Sequence, residues 1–140
     1  MMSTELFGRL FIAAAISGLA IAAYLLFNFY ILRHASSKVS KFPFYQAGLP
    51  AIVYFTTSTC QPCKTIQRPI IEQLKTSYGK WFRVIEIDVT QQPEIAREWG
   101  VMSVPTTFVI DVTGKPRYVN HGIATAEKLL QQLEIEDYSI

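Results

Sequence analysis

Ala51-Ile52-Val53-Tyr54-Phe55-Thr56-Thr57-Ser58-Thr59-Cys60-Gln61-Pro62-Cys63 is the stretch that decides the fold. Its first five residues form a continuous apolar, β-rich run, the pattern of a central strand buried on both faces. Thr56 to Thr59 reads as a loop. Cys60 to Tyr78 then reads as a helix, with Ile66, Ile70, Ile71 and Leu74 as its apolar stripe and Gly79 as its stop. Pro69 is expected to bend that helix. The cysteines thus fall where a strand gives way to a helix, which puts Cys60 at a helix N-terminus beneath backbone N–H groups that lack partners. A thiolate is stabilised there, so Cys60 is the expected nucleophile and Cys63, one turn further in, the shielded resolving thiol.

Gln61 and Pro62 tune this pair. Proline donates no N–H to the Cys60 sulfur and carries no imidazolium charge, so the expected couple is reducing, on the order of −270 mV rather than −120 mV. These two are the only cysteines, three residues apart, so they do not form a disulfide framework. Half a zinc site is the plain alternative for such a spacing. Four ligands are normally needed, however, and the only histidines are His34 and His121.

Downstream, Arg83 to Val89 alternates Val84, Ile85 and Ile87 around Glu86 and predicts a second buried strand. Pro93 to Trp99 predicts a short helix ended by Gly100. Thr106 to Ile110 predicts a third strand, Val112 to Lys115 a turn, and Arg117 to Asn120 an antiparallel return strand. Thr125 to Leu133 predicts a last amphipathic helix with Thr125 as its N-cap and Leu129, Leu130 and Leu133 inward. The order is β-α-β-α-β-β-α, without internal repeats.

Upstream, Leu10 to Leu32 is 23 residues without a formal charge. As a helix it spans about 35 Å, enough for a hydrocarbon core of roughly 30 Å. A single-pass transmembrane helix over 10–32 is therefore expected, after an N-terminal tail 1–9 and before a polar juxtamembrane tether 33–44, with the bilayer as a partner. A signal peptide cleaved near Ala35-Ser36-Ser37 is the competing reading, but the apolar run is long for that role. Residues 1–41 carry four basic side chains against Glu5, while 42–140 carry nine against ten acidic ones. A near-neutral folded part without a basic patch argues against nucleic-acid binding.

Thr59-Cys60-Gln61-Pro62-Cys63-Lys64, Val104-Pro105-Thr106 and the element order together resemble the thioredoxin family, over residues from about 48 to 135. The resemblance implies an α/β thioredoxin-like fold for residues 45–140, a mixed central sheet flanked by helices. It also implies a cis bond at Pro105, and a substrate-binding surface of Thr59, Val104, Pro105 and Thr106 beside the cysteines. No cofactor beyond a Cys60–Cys63 redox-active disulfide is implied, and no metal. Gly114, Gly122 and the Trp99-Gly100 pair fall where the family has its hairpin glycine, its pre-helix glycine and its aromatic-glycine step.

The departures from the family are specific. Thr59 stands where members usually have tryptophan, and Tyr54 and Glu86 stand where typical members have a buried aspartate and a lysine. Glu86, between Ile85 and Ile87, is a candidate proton acceptor for Cys63 if its strand is buried; a solvated edge position or a pairing with a lysine is the alternative. Pro69 follows Cys63 by six residues, one more than in the usual family helix.

The function expected is a membrane-tethered thiol–disulfide oxidoreductase working as a reductase of protein disulfides. An upstream thiol reductase would supply its electrons, since no dinucleotide motif is present. The alternative is an accessory subunit of an integral membrane complex, its helix packing through Gly18 and Ala13–Ala15, Ala20, Ala22 and Ala23. Arg33, Lys38 and Lys41 after the helix, against Arg9 before it, tilt the domain toward the cytoplasm. The resemblance tilts it outward, because many anchored relatives are extracytoplasmic reductases.

Overall fold

The computed structural model describes residues 2–39 and 48–135. Residue 1, residues 40–44 of the expected tether, and residues 45–47 and 136–140 of the expected domain lie outside them.

The first element is one long helix, α1 (Met2–Val39). Within it Thr4–Ala35 is long and apolar enough to cross a membrane, and side chains from Leu6 to Leu26 such as Phe11, Leu19 and Leu26 are exposed. The helix differs from the expected boundaries by taking in tail residues from Met2 on and tether residues through Val39. The tether lacks apolar periodicity, but a helix that is already nucleated needs none to continue. No glycine or proline between Arg33 and Val39 stops it.

The second body is built on β1 (Ala51–Thr56), buried at every position. It is followed by a helical stretch made of a π segment, Cys63–Gln67, and α2 (Arg68–Tyr78), then β2 (Arg83–Asp88), α3 (Pro93–Glu98), β3 (Thr106–Ile110), β4 (Pro116–His121) and α4 (Ala126–Gln132). The sheet order is β2-β1-β3-β4. β1 runs parallel to β2, while β1 with β3 and β3 with β4 are antiparallel. The chain thus has a mixed sheet flanked by helices, with the predicted element order.

Alternation along β1 divides the core. Ile52 joins Leu74 and Phe82 around α2 and Leu129 and Leu133 of α4. On the other face Phe55 meets Trp99 and Phe108, with ring centroids 5.8 Å away in each case, and Trp99 meets Phe108 edge-on at 5.0 Å. Thr125 caps α4 as expected, accepting from the Lys128 N–H.

Two local expectations fail. β2 is not a buried strand: among the described residues it pairs only with β1, so it forms an edge, with Arg83 and Glu86 exposed and Ile87 buried. Its alternation reflects a half-covered strand. Nor does an ordinary α-helix run on from the cysteines. The Arg68 N–H reaches back five residues to the Cys63 carbonyl, the mark of a π turn. Pro69, which has no N–H to give, follows at the first turn of α2, where that loss is least costly.

The β3–β4 turn is fixed by one carboxylate. Asp111 accepts from the Thr113 and Lys115 amides, the Thr113 hydroxyl and the Arg117 guanidinium. Partial burial pushes its pKa up, but these donors outweigh that and hold the group far below the usual carboxylate range. A depressed folded-state pKa contributes stability that is present above the unfolded value, near 4, and is lost as pH falls through the folded value. Asp111→Asn should therefore lower stability at neutral pH and flatten the loss of stability below about pH 4, as read by denaturant titrations at several pH values.

Candidate functional site

Because β1 is sealed on both faces, the chain leaves its C-terminal end into a short loop, and the helical stretch beginning at Gln61 turns back over the sheet. Cys60 sits at that junction. It is disulfide-bonded to Cys63 with 5.3 Å between Cα atoms. The Cys63 N–H donates to the Cys60 sulfur at 3.2 Å, and the Lys64 N–H to the Cys60 carbonyl at 3.3 Å. Cys60 is half-buried and Cys63 fully buried. This asymmetry lets a substrate reach one sulfur only, and a backbone N–H on that sulfur favours its thiolate once the bridge is reduced.

Gln61, Pro62 and Thr59 are exposed around Cys60. The Val104–Pro105 peptide is cis, Val104 packs on the cluster of Tyr54, Cys63 and Ile71 that also touches Cys60, and Thr106 opens β3 with its hydroxyl donating to the Ser103 carbonyl at 2.7 Å. Thr59, the cysteines and the Val104–Thr106 segment thus gather at one end of the sheet. Beside them a surface cleft of about 380 Å³ is lined by Val89, Pro93, Ala96, Met102 and Val104. Met102 is 82% exposed and Ile123 44%. A cleft of about 440 Å³, lined by Pro50, Asp111 and Arg117, lies at the opposite end of β1 and is remote from the sulfur chemistry.

Glu86 lacks the buried setting expected of a proton acceptor for Cys63. Its side chain is 43% exposed and pairs with Arg68 at 2.5 Å, so the burial on which the catalytic reading rested is missing. The β2 side chain that packs against Tyr54, Cys63 and Ile71 is Val84, two residues earlier on the same face. Tyr54, in the place of the family's aspartate, donates its hydroxyl to the Cys63 carbonyl at 3.2 Å. Burial raises its pKa, against smaller opposing effects from the Thr56 hydroxyl and the Arg68 charge. The phenol is therefore a neutral prop under the resolving cysteine. No group of three or more His, Cys, Asp or Glu able to hold a metal occurs among the described residues.

Sequence reasoning did not single out Gln67, which is fully buried, or the apolar Val84 contact. Only the late position of Pro69 signalled irregular geometry behind the cysteines.

Comparison with known proteins gives a consistent result. The family model described as Thioredoxin matches residues 38–135. A thioredoxin-like protein of Synechocystis sp. is 33% identical over 86 residues, 61% of this chain and 80% of that protein. Chloroplastic thioredoxin Y of rice (Oryza sativa subsp. japonica) is 32% identical over 85 residues, 61% of this chain and 49% of that one. The chain thus spans about half the length of the rice relative and most of the cyanobacterial one. Among solved structures, the fold is similar to a malaria-parasite thioredoxin-2, with a TM-score of 0.59 and 21% identity, covering 66% of this chain and 87% of that chain.

Two outcomes follow from the geometry. After reduction, iodoacetamide should alkylate Cys60 at least about tenfold faster than Cys63, as read by peptide mass spectrometry. Glu86→Gln should leave the rate of mixed-disulfide resolution within about twofold of wild type in stopped-flow measurements, since an exposed ion pair contributes little.

Proposed function

The chain belongs to the thioredoxin family, and from that premise we propose that it is a membrane-tethered thiol–disulfide oxidoreductase that reduces protein disulfides. The observation that carries the reading is the asymmetric pair, an accessible Cys60 bridged to a buried Cys63 beside a cis-proline segment. In the reduced protein the Cys60 thiolate attacks one sulfur of a substrate disulfide, breaking that S–S bond and expelling a thiolate that takes up a proton. The Cys63 thiol, losing its proton, then attacks Cys60 in the mixed disulfide. The Cys60–Cys63 bond forms and the second substrate thiol departs. The dithiol is oxidised by two electrons and the substrate reduced by two, so an upstream dithiol donor must restore the pair.

Thr59, Val104, Pro105 and Thr106 are the surface on which an extended substrate segment lies, and Gln61 and Pro62 set the reducing character of the couple. The apolar α1 supports anchoring, with residues 10–32 in the bilayer and the domain from residue 45 held near the membrane surface. No side chain in this scheme has to act as a carboxylate base.

Full-length protein in detergent should reduce insulin disulfides with dithiothreitol as donor. Cys60→Ser should abolish this, and Cys63→Ser should accumulate mixed disulfides visible on non-reducing gels. Absence of turnover together with stable copurification of integral membrane proteins would favour the accessory-subunit reading. The chain should also resist alkaline extraction from membranes with its N-terminus intact; a mature N-terminus near Ala35 to Ser37 would remove the anchor from the scheme.

A further inference from the structure

The π segment that begins at Cys63 ends at Gln67, whose side chain is fully buried. A buried amide is costly unless its hydrogen bonds are met. Here the oxygen and one N–H of the amide are met by a single residue of another segment: Gln67 Nε2 donates to the Ala124 carbonyl at 3.2 Å, and the Ala124 N–H donates to Gln67 Oε1 at 2.7 Å. Ala124 lies between β4 and the Thr125 cap of α4, outside any helix or strand. Gln67 therefore supplies for this loop what a sheet neighbour would supply for a strand.

The same loop starts at Gly122, which has φ 87° and donates its N–H to the Pro105 carbonyl at 2.8 Å. Between the two fixed points Ile123 is held 44% exposed. The loop from Gly122 to Ala124 is thus pinned at one end to the cis-proline segment and at the other to the helical stretch carrying Cys63. Filling the space behind the cysteines would need only an apolar side chain. The paired bonds instead fix where the loop backbone stands.

We propose that Gln67 is a positioning residue: it clamps the Gly122–Ala124 loop, which Gly122 joins to the cis-proline segment, as a wall of the surface that receives a protein substrate's disulfide. It thereby sets affinity for protein disulfides without touching the reacting sulfurs. The inference rests on the reductase reading above.

The test uses full-length protein in detergent with two substrates, insulin and the small hydroxyethyl disulfide, which is too small to need the wall. Gln67→Met keeps the volume and removes both bonds. It should raise KM for insulin about tenfold while leaving the rate with hydroxyethyl disulfide within about twofold of wild type. Amide hydrogen exchange at Ala124, read by NMR, should accelerate about tenfold or more. An unchanged insulin KM, or equal losses with both substrates, would overturn the proposal. Should Gln67→Met not fold, Gln67→Glu retains the acceptor for the Ala124 N–H but not the donor, and should show the same split at about threefold. If wild-type protein turns over neither disulfide, the reductase reading fails by itself; unaccelerated exchange at Ala124 in the variant then overturns the clamp.

Discussion

Everything in the folded body depends on the burial of β1 on both faces. A six-residue strand whose every side chain is covered needs helices above and below it and strands on both sides, and the structure supplies α2 and α4 on one face, Trp99 behind α3 on the other, β2 and β3 at its flanks. A strand so enclosed offers only its ends to solvent. The C-terminal end is where Cys60 emerges, and the cis-proline segment entering β3 comes beside it because β3 runs antiparallel to β1. The accessible sulfur thus owes its position to hydrophobic packing well away from it.

The chemistry placed there is unusual in its electrostatics. Tyr54 occupies the buried place of a carboxylate and Val84 packs beside it, so the lining beneath Cys63 is neutral and apolar. Desolvation works against a buried charge and leaves a buried phenol protonated. Tyr54 and Val84 therefore bring no charge to the resolving cysteine. The Arg68–Glu86 ion pair faces solvent on the edge strand.

Much of this was legible in the residues. The five apolar residues from Ala51, the β-rich run from Thr106 to Ile110, the Val112–Lys115 turn and the Thr125 cap each carry a local signal that tertiary structure did not override. β2 was harder, because alternation of Val84, Ile85 and Ile87 does not tell an edge strand from a central one; sheet order depends on partners distant in sequence. For that reason the residues alone left Glu86 between a proton acceptor and an edge position, and the structure puts it at the edge. Gln67 was invisible because glutamine in a helical pattern ordinarily reads as a solvated face, and its burial follows from a turn of uncommon width. α1 reaches Val39 because polar residues do not end a helix; breakers and caps do.

That wide turn also accounts for how the chain tolerates its own length. Pro69 stands one residue later than in typical family members, and one extra residue in an ideal α-helix turns everything beyond it by about 100°. Spread along α2, such a rotation would carry Ile71 and Leu74 away from the sheet and bring charged Glu72 or Lys75 toward it. The π segment takes up the surplus as a lattice takes up a dislocation, in one place, so that the rows on either side stay in phase. Cys63 at the start of the defect and Ile71 after it both remain buried. The helix thereby keeps two separate obligations, to the sulfur pair and to the core, that a uniform helix of this length would set against each other.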